Sequence, residues 1–226
     1  MKDMKIFNCL CLALFTVLFA SCSPAISVRA GNSDSATISF SADFSAAANS
    51  AFTDFLSEAG QTTAPIQNSS EPLFSKTEIE NFLLSCGAED VSAETGKDGK
   101  TKGTGTIAGL SKSVPGTSKI LSKTKNSLSL TLGPEQFRSL YESLNEESQG
   151  YFDLLMIPSL NDETMDVSEY ENLLSFVYGQ KLAKELVSQP LELNLQSPDS
   201  KKTVSSKITL GEVLTLTEPK TWTVTW

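Results

Sequence analysis

Leu128-Ser129-Leu130-Thr131-Leu132-Gly133-Pro134-Glu135-Gln136-Phe137 changes its period halfway along. Up to Leu132, apolar and hydroxyl side chains alternate, the pattern of a half-buried strand. Gly133 then breaks the run. Pro134 suits the first turn of a helix, where its missing N–H would have had no partner anyway. Phe137, Leu140, Tyr141 and Leu144 follow at helical spacing. A strand that turns directly into an amphipathic helix needs both faces covered, so sheet and helix must share a core.

Reading toward the C-terminus, Ser168-Glu169-Tyr170-Glu171 has the pattern of a capping box. It predicts the longest helix, with Leu174, Val177, Tyr178 and Leu182 as its apolar stripe and Pro190 as its stop. Leu191-Glu192-Leu193-Asn194-Leu195 and residues Thr203 to Thr209 read as strands. A short turn or helix fits Gly211 to Leu216. Trp222-Thr223-Val224-Thr225-Trp226 closes the chain as a strand with both indoles on one face.

The N-terminal half shows a similar order. Thr37-Ile38-Ser39-Phe40-Ser41 alternates as a strand, and Phe52, Phe55 and Leu56 fall at helical spacing before Gly60. Ser75-Lys76-Thr77-Glu78 opens a second helix, carrying Ile79, Phe82 and Leu83 and ending at Gly87. Two strands then flank Gly96-Lys97-Asp98-Gly99, a hairpin turn. The expectation is an α+β fold: antiparallel sheets with helices on one face, and a strand-helix-helix-strand-strand unit duplicated in residues 36–111 and 127–226. Residues 112–126, rich in Ser, Thr and Lys, read as a linker, and residues 22–35 as a flexible tether. Residues 36–226 as one domain is the alternative.

Composition narrows the function classes. The 226 residues carry a formal charge of −9 and contain no histidine. An acidic chain without a basic stripe argues against nucleic acid. Lacking histidine, the chain has no Ser-His-Asp or Cys-His catalysis and no His-ligated zinc. Gly99-Lys100-Thr101 ends like a phosphate-cradling loop, but Glu94 stands where the first glycine belongs, so a solvated hairpin tip is the better reading. The acidic loop Asn161 to Asp166 has Met165 and Asp166 at the fifth and sixth places of a calcium loop, which wants oxygen and then glycine. Acids there suit the start of the next helix instead. No metal and no cofactor is expected.

The first two dozen residues have the build of a secretory leader. Lys2 and Lys5 precede an apolar run from Cys9 to Phe19, too short for a span of about 20 residues. Small residues lead into a cysteine at Ala20-Ser21-Cys22. An ordinary cut after Ser21 or Ala20 would place bulky Phe19 or Leu18 where a small residue is wanted. The pattern resembles the lipobox of bacterial lipoproteins. The resemblance implies a signal peptide of residues 1–21, an acylated Cys22 and attachment to the cell envelope. Ser23 in place of Asp favours the outer membrane. Losing Lys2, Lys5 and Asp3 moves the formal charge from −9 to −10. Only Cys86 then remains, so no intrachain disulfide forms, and Cys86 reads as a buried thiol.

The candidate binding residues are Tyr151, Asp153, Tyr170, Tyr178, Trp222 and Trp226. Aromatics with polar tips are favoured at recognition surfaces, though the same residues also fill cores. Asp153 lies inside the apolar run Tyr151 to Pro158, so burial would oblige it to accept hydrogen bonds. As one of two acids about 5–10 Å apart it would serve a glycosidase, but no second acid is indicated. The run Asp153-Leu154-Leu155-Met156-Ile157-Pro158, with Ser168-Glu169-Tyr170 and Phe176-Val177-Tyr178-Gly179, resembles a group of uncharacterised spirochaete lipoproteins. That likeness implies envelope location and no known activity. The expected function is a lipid-anchored binding or structural module, not an enzyme. Its partners would be the membrane through the lipid, and an envelope protein, a glycan or a small apolar ligand. A carboxylate-dependent hydrolase of envelope glycans and a lipid carrier are the alternatives.

Cys22→Ala is expected to move the chain from the detergent phase to the aqueous phase in a partition assay. Two or three acyl chains hold firmly, at about 0.8 kcal/mol per buried methylene. Unchanged partitioning would show the anchor to be misassigned.

Overall fold

Ala25-Ile26-Ser27-Val28-Arg29-Ala30 forms β1, and its neighbours on both sides explain the fold. The computed structural model describes residues 24–43, 76–96, 100–144, 149, 152–153 and 155–226. β1 pairs antiparallel with β2 (Ala36–Asp43) on one side. On the other it pairs parallel with β7 (Pro190–Gln196). The sheet continues through β4 (Lys100–Ile107) to β3 (Glu89–Thr95) at one edge and ends at β8 (Thr203–Thr209) at the other. Its order is β3-β4-β2-β1-β7-β8.

The α+β class holds, with two corrections. The large sheet is mixed, because the β1–β7 pair is parallel. The flexible tether is also wrong over residues 25–30: Val28 and Ala30 are buried, and Arg29 points outward. The stretch has only two large apolar side chains, so it reads as polar coil when taken alone. Its ladders to β2 and β7 make it a strand, since strand preference depends on neighbours more than on composition.

The division into halves does not survive either. The six-stranded sheet takes β1 to β4 from one half and β7 and β8 from the other. One apolar core runs from Val28 to Val224. Nor does the duplicated unit recur in the pairing. β2 lies beside β4, whereas β6 (Ser127–Leu132) joins a separate sheet, β5-β6-β9, with β5 (Leu121–Lys123) and β9 (Lys220–Thr225). The helix expected before Gly60 lies outside the described residues.

The linker over 112–126 is ordered structure. A 3-10 turn at Leu110–Lys112 leads into the short helix α2 (Val114–Thr117) and then β5. Hydroxyls of Ser113, Thr117 and Ser118 bond the backbone. Ser118 Oγ donates to the Val114 carbonyl at 2.7 Å, and Ser113 Oγ to that of Leu110 at 2.7 Å. Asp34 accepts from the Ser111 amide and hydroxyl, tying this segment to the β1–β2 turn. These bonds hold the Asp34 carboxyl below its usual range.

Helices cover the inner face. α1 (Lys76–Ser85) turns Ile79 and Leu83 inward, and Gly87 ends it at φ +85°. Ser75, the expected cap, lies outside the described residues. α3 (Pro134–Ser143) buries Phe137 as expected. The long C-terminal helix is two: α4 (Val167–Tyr178) and α5 (Gln180–Ser188), broken at Gly179 with φ +79°. The cap of α4 is Asp166 with Glu169, two residues ahead of the expected box. A second box, Thr209 with Glu212, starts α6 (Leu210–Leu214), where a short helix was expected. Val177, expected in the stripe, is 52 % exposed because the break ends the helix beside it. Cys86 is half-buried rather than buried.

Gly103 faces the inner side of β4, where an added Cβ would run into the Phe40 ring and Ile79. Gly103→Ala is therefore expected to cost about 1–3 kcal/mol, the range for overpacking a tight site. Urea unfolding checks it, and an unchanged midpoint would refute the packing of α1 on β2 and β4.

Candidate functional site

Sheet register sets which side chains face water. Ile26, Val28 and Ala30, with Phe40, Ala42 and Gly103, share the inner face. Successive strand residues point to opposite sides, so the outer face carries Ser27, Ser39, Ser41, Ser92, Lys102 and Thr104. It is paved with hydroxyls. Ser39 and Thr104 share a hydrogen bond of 2.9 Å across β2 and β4, and Thr37 and Thr106 one of 3.4 Å. Ser205 donates to Asn194 at 2.5 Å across β7 and β8. The small sheet repeats the device: Ser129 pairs with Thr223 at 2.8 Å and Thr131 with Thr221 at 3.0 Å.

Where short serine and alanine side chains meet longer neighbours, the outer face dips. The result is an open trough of about 340 Å³. Ser27, Ser39, Ser41 and Ser92 line it, with Glu94 and Lys102 among its walls. Glu94 and Lys102 are register partners on adjacent strands. The trough thus offers hydroxyls that both donate and accept, plus one carboxylate and one ammonium. Strand spacing places neighbouring hydroxyls about 5 Å apart across strands and about 7 Å apart along them.

The described residues among the sequence candidates lie elsewhere. Cys22 and Tyr151 are outside the described residues. Tyr170 is fully buried and donates from its phenol to the Leu155 carbonyl at 2.5 Å. Burial, with the Tyr178 phenol as a lesser cause, drives the Tyr170 ionisation well above the usual tyrosine range. Tyr178 is half-buried and raised by burial too. Asp153 is exposed, not buried. Phe152, Leu155 and Ile157 turn inward around it, and Asp153 takes the solvent side, accepting from the Tyr141 phenol at 3.1 Å. Trp222 and Trp226 do share one face of β9 and its continuation, both half-buried. Lys220 Nζ lies 5.6 Å from the Trp222 ring centroid. Among the described residues, none of these candidates lines the trough.

The acidic loop is engaged structurally. Asp162 pairs with Arg138 at 2.6 Å, and Arg138 also donates to the Ser159 carbonyl at 3.1 Å. Asp166 accepts from the amides of Ser168 and Glu169. Among the described residues no group of three or more His, Cys, Asp or Glu side chains is placed to hold a metal ion. On α4, Phe176 is 93 % exposed.

Sequence reasoning missed the trough. Its signal was present as period-two Ser and Thr on several strands, but that pattern reads as ordinary solvent-facing alternation until the strand order is known. β1 supplies Ser27, and its short run, with only two large apolar side chains, reads as coil when taken alone.

Tyr170→Phe leaves the Leu155 carbonyl without its phenol donor, at an expected cost of about 1–3 kcal/mol. The sign with pH follows from the raised ionisation. The unfolded chain loses the phenolic proton near pH 10 while the folded one keeps it, so wild-type stability falls as pH rises past about 10. Melting at pH 8 and pH 11 is expected to show the wild-type advantage shrinking at the higher pH. A gap that stays constant would contradict the burial of this phenol.

No protein-family model matches the chain, and neither a curated protein nor a solved structure matches it.

Proposed function

We propose that this chain is a lipid-anchored protein of a bacterial envelope that binds a glycan on the hydroxyl-paved face of its six-stranded sheet and catalyses no reaction. The trough carries the reading. Its serines, with Glu94 and Lys102, form the donor and acceptor set that a polyhydroxylated partner requires. A small apolar ligand would strip water from Ser27, Ser41 and Ser92 without replacing its hydrogen bonds, which costs free energy. The hydrolase alternative needs two acids facing each other across a cleft. Asp153 sits exposed beside a phenol instead.

The lipid anchor rests on the lipobox resemblance at Cys22 and on the leader before it. Among the described residues no helix is long and apolar enough to cross a membrane, so attachment through the acyl chains is the route proposed.

Replacing Ser39 and Thr104 together by valine removes both partners of one hydrogen bond. Such a paired change is nearly neutral for stability. The double variant is expected to keep its melting temperature and to bind envelope oligosaccharide at least about tenfold more weakly, a difference of about 1.4 kcal/mol. Titration calorimetry of the full chain with peptidoglycan fragments and with lipopolysaccharide-derived oligosaccharide measures it. Equal affinity in wild type and variant would remove the trough from the function.

A further inference from the structure

We infer that the end of the six-stranded sheet at which β1 begins docks directly on the lipid bilayer. The inference rests on the lipid-anchor reading of Cys22, and it places Ala25, Ser41, Glu94 and Lys102, which also line the trough, nearest the membrane. Folded structure starts almost at the anchor. Pro24 is buried, and its carbonyl accepts from the Glu192 amide at 2.9 Å. β1 is paired on both sides from Ala25 onward. Ser23 alone separates Cys22 from Pro24. Two residue steps span at most about 7 Å. The acyl chains on Cys22 must reach the hydrocarbon core, which lies beneath a headgroup layer about 5–8 Å deep. So little chain leaves no slack. The first residues of β1 sit at headgroup level, and the sheet stands up from the membrane.

Charge fits this placement. One register row crosses all six strands at that end: Glu94, Lys102, Ser41, Ala25, Glu192 and Lys207. Its two acids and two lysines cancel, in a chain whose formal charge is −9. Acids and lysines are matched along this row, so the row itself adds no repulsion at an anionic leaflet. The opposite end carries the β1–β2 turn, where Leu110 donates to the Asp34 carbonyl, and the β7–β8 turn at Ser197 to Lys202. That end lies the length of the strand away, about 20 Å.

The test uses the full chain, processed in a lipoprotein-exporting bacterium. It is placed on vesicles of phosphatidylethanolamine and phosphatidylglycerol. A membrane-impermeant amine reagent then labels lysines, read residue by residue by mass spectrometry. The comparison protein carries a Gly/Ser insertion of about 12 residues between Ser23 and Pro24, which frees the body by about 20 Å. Lys102 and Lys207 are expected to label several-fold more slowly in the native chain than in the spacer variant. Lys112 and Lys201, at the far end, are expected to label equally in both. If both proteins are acylated and Lys102 and Lys207 label alike, the docking is wrong and the anchor stands. If Cys22 is unmodified, or the chain fails to bind vesicles, anchor and docking fall together.

Discussion

The ladder between β1 and β7 is the interaction on which the architecture depends. Five register pairs, Ala25 with Glu192 through Arg29 with Gln196, join the N-terminal segment to a strand far along the chain. Without them β7 and β8 would be a detached hairpin, and β1 an edge strand. A detached two-stranded hairpin is marginal in water. Parallel pairing also needs a long crossover, and the intervening chain supplies it with both helices and the small sheet. The contact is between residues distant in sequence, so loop-closure entropy must be met before it stabilises anything.

That ladder also sets the faces. Once β1 is in register, Val28 and Ala30 join Leu193 and Leu195 in the core, and Ser27 is turned to solvent beside Ser39. Cross-strand hydroxyl pairs such as Ser39 with Thr104 contribute about 0.2–1 kcal/mol each. Their stabilising effect is small next to the apolar face. Their consequence is chemical: a wide surface of groups that donate and accept, with acids and lysines matched along one row, lying beside the segment that leads to Cys22. Tethering and recognition would then involve neighbouring parts of one sheet.

Local elements were legible wherever the pattern was self-sufficient. Leu128 to Leu132 alternates, and its leucines at 128 and 130 are buried. Residues 191–195, 203–209 and 222–224 are strands as the alternation indicated. Gly87 ends α1 in the left-handed region, where a glycine costs nothing. The errors came where neighbours decide. Residues 25–30 and 112–126 carry few large apolar side chains, so much of their order comes from ladders and from serine hydroxyls bonded to the backbone. The break at Gly179 was hidden because Leu174 and Leu182 keep helical spacing across it. Asp153 reads as buried because its flanks are apolar, yet a helical turn puts Phe152 and Leu155 inward and Asp153 outward.

From the amino-acid order alone came the α+β class, most of the strands and the charge. Each depends on composition or on a period within a few residues, and such signals are complete in a short window. Strand order, the parallel pair, the merging of two apparent halves into one core and the hydroxyl trough were decided only in three dimensions. They depend on which strands lie side by side, and backbone hydrogen bonds between distant segments leave no mark on local side-chain pattern.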